Sequence, residues 1–225
     1  AARIRALEYL GEQETTQNAI EMPRAEALLV SSFYVQTSLY NLSKAKEVMK
    51  PFLDVKVKPI PFSLLYGKIL FYLNDTGANS YLAGIQKEAG YTDLEKEEAN
   101  FYLAEAAFEE GHPDAISRYR SLSKSNNPST AAYTLYKMAW IHYYNGQADR
   151  ALDLFKQSLA LSENYRNDAF LLNLKNAIKK ESLVFFSERK ELTKLEEFTE
   201  LFSDDSFSWG ISLAQQLEDQ GEFQK

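Results

Sequence analysis

Few side chains in this chain have types and spacing suited to covalent chemistry. Histidine, the residue whose ordinary pKa suits proton transfer near neutrality, occurs twice, at His112 and His142. His142 falls at helical spacing beside Ala139 on an apolar stripe and reads as a core residue; His112, in "EGHPD", reads as a solvated turn residue. Cysteine is absent, which excludes thiolate nucleophiles, thiolate zinc sites, iron–sulfur clusters and disulfides. Carboxylates are plentiful, but the sequence identifies none as isolated in an apolar pocket, and no phosphate-binding or nucleophile-elbow motif is present. "SDDS" and "NDTGANS" read as a helix cap and a turn. The expectation is a protein that is not an enzyme, with no catalytic residue, cofactor or metal.

What the spacing does offer is recognition chemistry. In "YTLYKMAWIHYYNGQADRALDLFKQSLALS", residues 133–162, the rings of Tyr133, Tyr136, Trp140, Tyr143 and Tyr144 crowd one short helix. A helix needs one apolar stripe to pack, and Leu135, Met138, Ala139 and His142 already supply it at i, i+3, i+4 and i+7. Aromatic rings combine large contact area with polar tips, which suits a surface that grips a partner and tolerates water when empty. Packing between neighbouring helices would also account for some of them.

The elements that position these rings are helices. Only nine glycines and six prolines punctuate the 225 residues, and alternating β-branched runs are lacking, so an all-α chain is expected. Helices are predicted near 20–38, 41–54, 61–73, 77–89, 92–109, 113–124, 130–144, 148–162, 165–187, 191–202 and 206–219. Ala104, Gly111, Ala115 and Tyr119 recur as Ala139, Gly146, Ala151 and Phe155, at a near-constant offset of 35 or 36 residues. A fixed offset implies a repeated two-helix unit.

These residues resemble the tetratricopeptide repeat family, in which units of about 34 residues pair two helices through small residues where the backbones approach. The clearest units span about 98–128 and 132–163. "LLYGKILFYLND" offers Gly67 as its small residue but no matching alanine in its second helix, and "ALLVSSFYVQTSLYNLSKAKEVMKPF" keeps Ala45 and Met49 but lacks the turn glycine. The resemblance implies one right-handed α-solenoid of antiparallel helix pairs over 1–225, with units near 1–54, 61–90, 92–128, 130–163, 165–203 and a partial one from 206. The expected partner of the final helix falls beyond Lys225, so the chain reads as a piece of a longer array; "SWGISLAQQLEDQG" as a terminal cap is the other reading.

In this family the first helices of the pairs line a concave groove. Carried to this sequence, the resemblance places Tyr133, Tyr136, Trp140, Tyr143, Tyr144, Phe101, Glu105, Phe108, Glu109 and Phe71 on a partner-binding surface, with Leu64, Lys68, Tyr72 and Glu98 beside them. Some members clamp a terminal carboxylate with Lys and Asn on these faces; Phe101, Glu105, Tyr136 and Trp140 stand at those positions, so an anionic tail is not the expected ligand. From Asp93 to Glu110 seven acids face one lysine, and the net charge is −7. A partner carrying basic and apolar or proline residues is expected, and nucleic acid is not. The same acids would also suit a solvated face, as would the short basic run "KNAIKK". No apolar run is long enough to span a membrane, so insertion by this segment is not expected. The function implied is a protein-interaction scaffold. The alternative is an assembly element of a larger complex, such as one in a bacterial envelope, that works through edges near Phe207, Trp209 and Leu213. The compartment stays open between bacterial periplasm or envelope and cytoplasm.

Overall fold

The computed structural model describes residues 41–50, 60–165, 168–189 and 206–219, and these hold nine helices and no strand. In chain order they are α1 (Leu42–Met49), α2 (Ile60–Tyr72), α3 (Ala78–Lys87), α4 (Asp93–Glu109), α5 (Asp114–Leu122), α6 (Pro128–Tyr144), α7 (Ala148–Asn164), α8 (Ala169–Arg189) and α9 (Ser206–Asp219). The fold is all-α, as the residue pattern predicts. Helices expected at 20–38 and 191–202 lie outside the described residues. The chain divides into two compact units, 1–115 and 116–225, the division falling at the start of α5.

Helix starts follow local side-chain chemistry. Thr92 caps α4 in a reciprocal box: Glu95 N donates to Thr92 Oγ1 at 3.3 Å and Thr92 N to Glu95 Oε2 at 2.9 Å. Asn127 caps α6, its Oδ1 accepting from Ser129 N at 3.0 Å, with Pro128 in the first helical position, where its missing N–H costs nothing. Asp168 Oδ1 accepts from Phe170 N and Leu171 N, so α8 begins several residues later than its apolar pattern suggests.

Three helix ends share one hydrogen-bond pattern. After α2, α4 and α6 the residues Asn74, Gly111 and Gly146 adopt left-handed backbone, at φ 52, 65 and 74. Each is closed by paired bonds: Asp75 N to Leu70 O and Asn74 N to Phe71 O; His112 N to Ala107 O and Gly111 N to Phe108 O; Gln147 N to His142 O and Gly146 N to Tyr143 O. This is the Schellman arrangement, which satisfies otherwise orphaned carbonyls and turns the chain back. Counted from these residues, small side chains stand seven positions earlier, at the buried Gly67, Ala104 and Ala139. Buried Ala78, Ala115 and Ala151 follow, and four residues after each comes a fully buried Leu82, Tyr119 or Phe155. Sequence matching finds no alanine to pair with Gly67, whereas Ala78 occupies that place. The register starts from an asparagine, the one non-glycine residue type besides aspartate that adopts this conformation readily.

In unit 1, α2 is apolar on nearly every side because it is covered on two. Tyr66, Ile69 and Leu70 pack with Leu42, Ala45 and Met49 of α1, while Leu64 packs with Leu82 and Ile85 of α3 and with Ala99 and Leu103 of α4. At Gly67 the helices lie so close that a Cβ would sit 2.6 Å from Leu82 Cδ2. Lys46 pairs with Asp75, tying α1 to the turn after α2.

In unit 2, α6 packs on α7 and α8, and α9 packs on α8. Ala132, Ala139, Ala151, Phe155, Leu171, Ile178, Phe185 and Phe186 are buried, and Ser158 Oγ donates to Ala132 O at 2.7 Å across the α6–α7 contact. Trp209 and Leu213, expected at an exposed edge, are instead buried: the indole of Trp209 meets Phe186, and its Nε1 donates to Lys179 O at 2.7 Å. The side chain of Phe207 lies outside the described residues.

Candidate protein-interaction surface

The five rings of α6 separate by depth. Tyr143 is 6 % exposed and packs against Phe185 of α8 at 5.4 Å, so it serves internal packing rather than an open face. This corrects the expectation that all five point away from the packed side. Tyr136 and Trp140 are half-buried and rest on Phe155 of α7, at 6.1 and 5.5 Å. Tyr133 lies between Tyr136 and Phe170, with Lys137 Nζ 5.4 Å above its ring. Tyr144 is 71 % exposed and stacks on Trp140 at 5.7 Å, the planes 30° apart. Two stripes on α6 exist because α7 covers one side and α8 reaches the other, and only the outer part of the second stripe is open.

Two polar tips of this stripe, those of Tyr136 and Trp140, converge on one atom. Tyr136 Oη donates to Glu181 Oε2 at 2.6 Å and Trp140 Nε1 donates to the same oxygen at 2.9 Å. Burial, and next the bond to Glu181, push the Tyr136 phenol well above the usual tyrosine range. Glu181 was not among the residues that the sequence singled out. Its signal is nevertheless present: Leu171, Leu174, Ile178, Glu181 and Phe185 form one helical stripe, and an acid within an otherwise apolar stripe calls for donors.

Unit 1 carries a second aromatic cluster. Tyr102 of α4, also missed in the sequence, stands at its centre, edge-on to Phe71 at 5.2 Å, Phe101 at 5.6 Å and Tyr72 at 5.9 Å. Burial, then a hydrogen bond with Tyr72, raises its phenol far above the ordinary value. Lys68 pairs with Glu98 and lies 5.7 Å from the Tyr102 ring centre. Glu105 is 9 % exposed, which removes it from the open acidic face on which it was expected, whereas Phe108 is half-buried and Glu109 exposed. Phe71 and Glu109 line an open depression of about 410 Å³ together with Asp75, Ala106 and Glu110. Its rim is acidic.

The two histidines occupy the places their neighbours dictate. His142 is buried, and its Nδ1 lies 2.6 Å from Gln147 Oε1. Among the described residues its Nε2 has no hydrogen-bond partner. Burial, with Arg150 and Arg120 nearby, holds its pKa below the ordinary value although the Gln147 bond opposes this. His112 is exposed in its turn, its Nδ1 accepting from Asp114 N at 3.2 Å. Among the described residues no group of three His, Asp or Glu side chains could hold a metal ion, and no helix is long and apolar enough to cross a membrane. The chain matches no protein-family model, no curated protein and no solved structure.

Proposed function

We propose that the protein is an interaction scaffold, a tetratricopeptide-like array of helix pairs that holds a partner segment carrying basic and apolar residues. The array reading is supported by the three left-handed turns and by the small and large buried residues that keep register with them. The observation that carries the functional reading is the outer half of the α6 stripe. Trp140 and Tyr144 form a stacked, partly open ring surface beside the Glu181 carboxylate. Tyr and Trp are enriched among the residues that dominate binding energy at protein interfaces, which is what adjoining open rings beside a fixed polar group offer. The acidic rim around Phe71 and Glu109 in unit 1 likewise favours a basic partner.

Tyr144→Ala is the cleaner probe, because that ring is 71 % exposed and its removal leaves the core intact. Partners captured by the wild type are expected to bind Tyr144→Ala and Trp140→Ala more weakly, by about 2 kcal/mol for a hot-spot residue, with far-UV circular dichroism unchanged for Tyr144→Ala. Undiminished capture by both variants would remove this surface from the proposal. The edge-contact alternative loses two of its three named residues, since Trp209 and Leu213 are buried on α8.

A further inference from the structure

Glu181 occupies a stripe position where helix packing ordinarily takes an apolar side chain, and among the described residues its carboxylate is held through one oxygen. Oε2 accepts from both Tyr136 Oη and Trp140 Nε1, while among the described residues nothing donates to Oε1. Both donors are neutral, so they orient the carboxylate without cancelling its charge. Among the described residues no lysine, arginine or histidine pairs with it, although Lys179 and Lys180 precede it directly on α8. A half-buried carboxylate without a counter-ion gains more from a cation than a fully solvated one does, because less water competes for it. Next to the Trp140 ring that fixes it lies an open π face: Tyr144, 71 % exposed, stacks on Trp140, and Lys137 already lies over Tyr133 on the same helix.

We propose that Glu181, Trp140 and Tyr144 form a socket for an arginine side chain of the partner segment. The guanidinium N–H groups pair with Glu181 Oε1, and the plane of the guanidinium lies on the Trp140–Tyr144 rings. Arginine fits better than lysine: its planar, weakly hydrated cation stacks on rings and donates in its plane at once, whereas an ammonium must give up a tighter hydration shell. The socket rests on the reading of this face as a partner surface and adds the chemistry of the group that fills it.

The chain holds two tryptophans, Trp140 and Trp209, so ¹⁵N-labelled protein gives two indole N–H signals, assigned through Trp140→Phe. The probes are the peptide acetyl-Ala-Pro-Arg-Pro-Ala-amide and its citrulline and lysine analogues, citrulline keeping the planar shape of arginine without the charge. The arginine peptide is expected to shift the Trp140 signal saturably and leave that of the buried Trp209 in place. The citrulline peptide should bind about tenfold more weakly or worse, as loss of a charge-assisted bond implies, with lysine in between. Glu181→Gln, whose amide oxygen still accepts from Tyr136 and Trp140, should bring the arginine peptide down to the citrulline level, and Tyr144→Ala should weaken it without moving the Trp209 signal. Equal binding of the arginine and citrulline peptides overturns the socket while leaving the surface reading intact, and equal binding of arginine and lysine overturns the choice of arginine. If no peptide shifts Trp140, the socket is refuted; whether the surface binds a partner at all is decided separately by capture on Tyr144→Ala.

Discussion

Gly67→Ala tests the close approach of α2 and α3 in unit 1, and Gly84→Ala is its internal control. Both glycines lie inside helices, so each substitution gains the same helix propensity, about 0.5–1 kcal/mol. They differ in what the new methyl group meets. At Gly84 nothing lies within 4 Å, whereas at Gly67 the Cβ would fall 2.6 Å from Leu82 Cδ2, 3.3 Å from Leu82 Cγ and 3.4 Å from Tyr81 Cδ1. Leu82 is fully buried between α2, α3 and α4 and cannot step aside freely. The propensity gain cancels in the comparison, which leaves the overpacking cost of about 1–3 kcal/mol as the difference between the two variants. Urea unfolding followed by far-UV circular dichroism, with amide exchange at Leu82 reporting unit 1 directly, should show Gly84→Ala slightly more stable than wild type and Gly67→Ala less stable. Equal stabilisation by both would mean that α2 and α3 do not approach this closely, and the small-residue register would lose its physical basis.

At Gly111 and Gly146 the left-handed backbone itself carries the cost, since a Cβ there meets open space. Alanine at either position should destabilise by about 1–2 kcal/mol in urea unfolding, while Asn74→Gly at the equivalent turn should be neutral or stabilising. The buried His142 predicts an acid-side loss. Its folded pKa lies below the ordinary 6.5, so the unfolded chain takes up the proton first as pH falls. Stability from this residue is complete above 6.5 and declines as pH drops from there toward the folded value. Urea midpoints between pH 8 and pH 5 should fall more steeply for the wild type than for His142→Phe; parallel profiles would refute the assignment.

The parts of the fold legible in the sequence were those written in glycine and alanine. Gly111 and Gly146 announce their turns because few other residues adopt positive φ, and Ala104, Ala115, Ala139 and Ala151 stand out where only a small side chain fits. The same turn after α2 was opaque because Asn74 reads as an ordinary polar loop residue, and without that anchor Ala78 cannot be aligned. The candidate surface was half legible. Tyr133, Tyr136, Trp140 and Tyr144 were found from their crowding, but how far each is covered depends on α8, whose contact with α6 no periodicity of α6 reveals; Tyr143 was therefore assigned outward and lies inward. Glu181 hid inside "NAIKKESL", where neighbouring lysines make the run look like a solvated face. Glu105 shows the reverse error: seven acids in one stretch suggested a uniform acidic face, yet this one is buried while Glu109 is exposed.

The central claim is that the outer ring surface of α6 touches a partner. It is tested most directly by placing the photo-cross-linker p-benzoylphenylalanine at Tyr144 and, in a separate variant, at Asp153, an exposed position on α7. The account predicts a discrete partner adduct from position 144, competed away by the arginine peptide, and none from position 153. Adducts of equal yield from both positions, or none from 144 while the partner still binds, would contradict it.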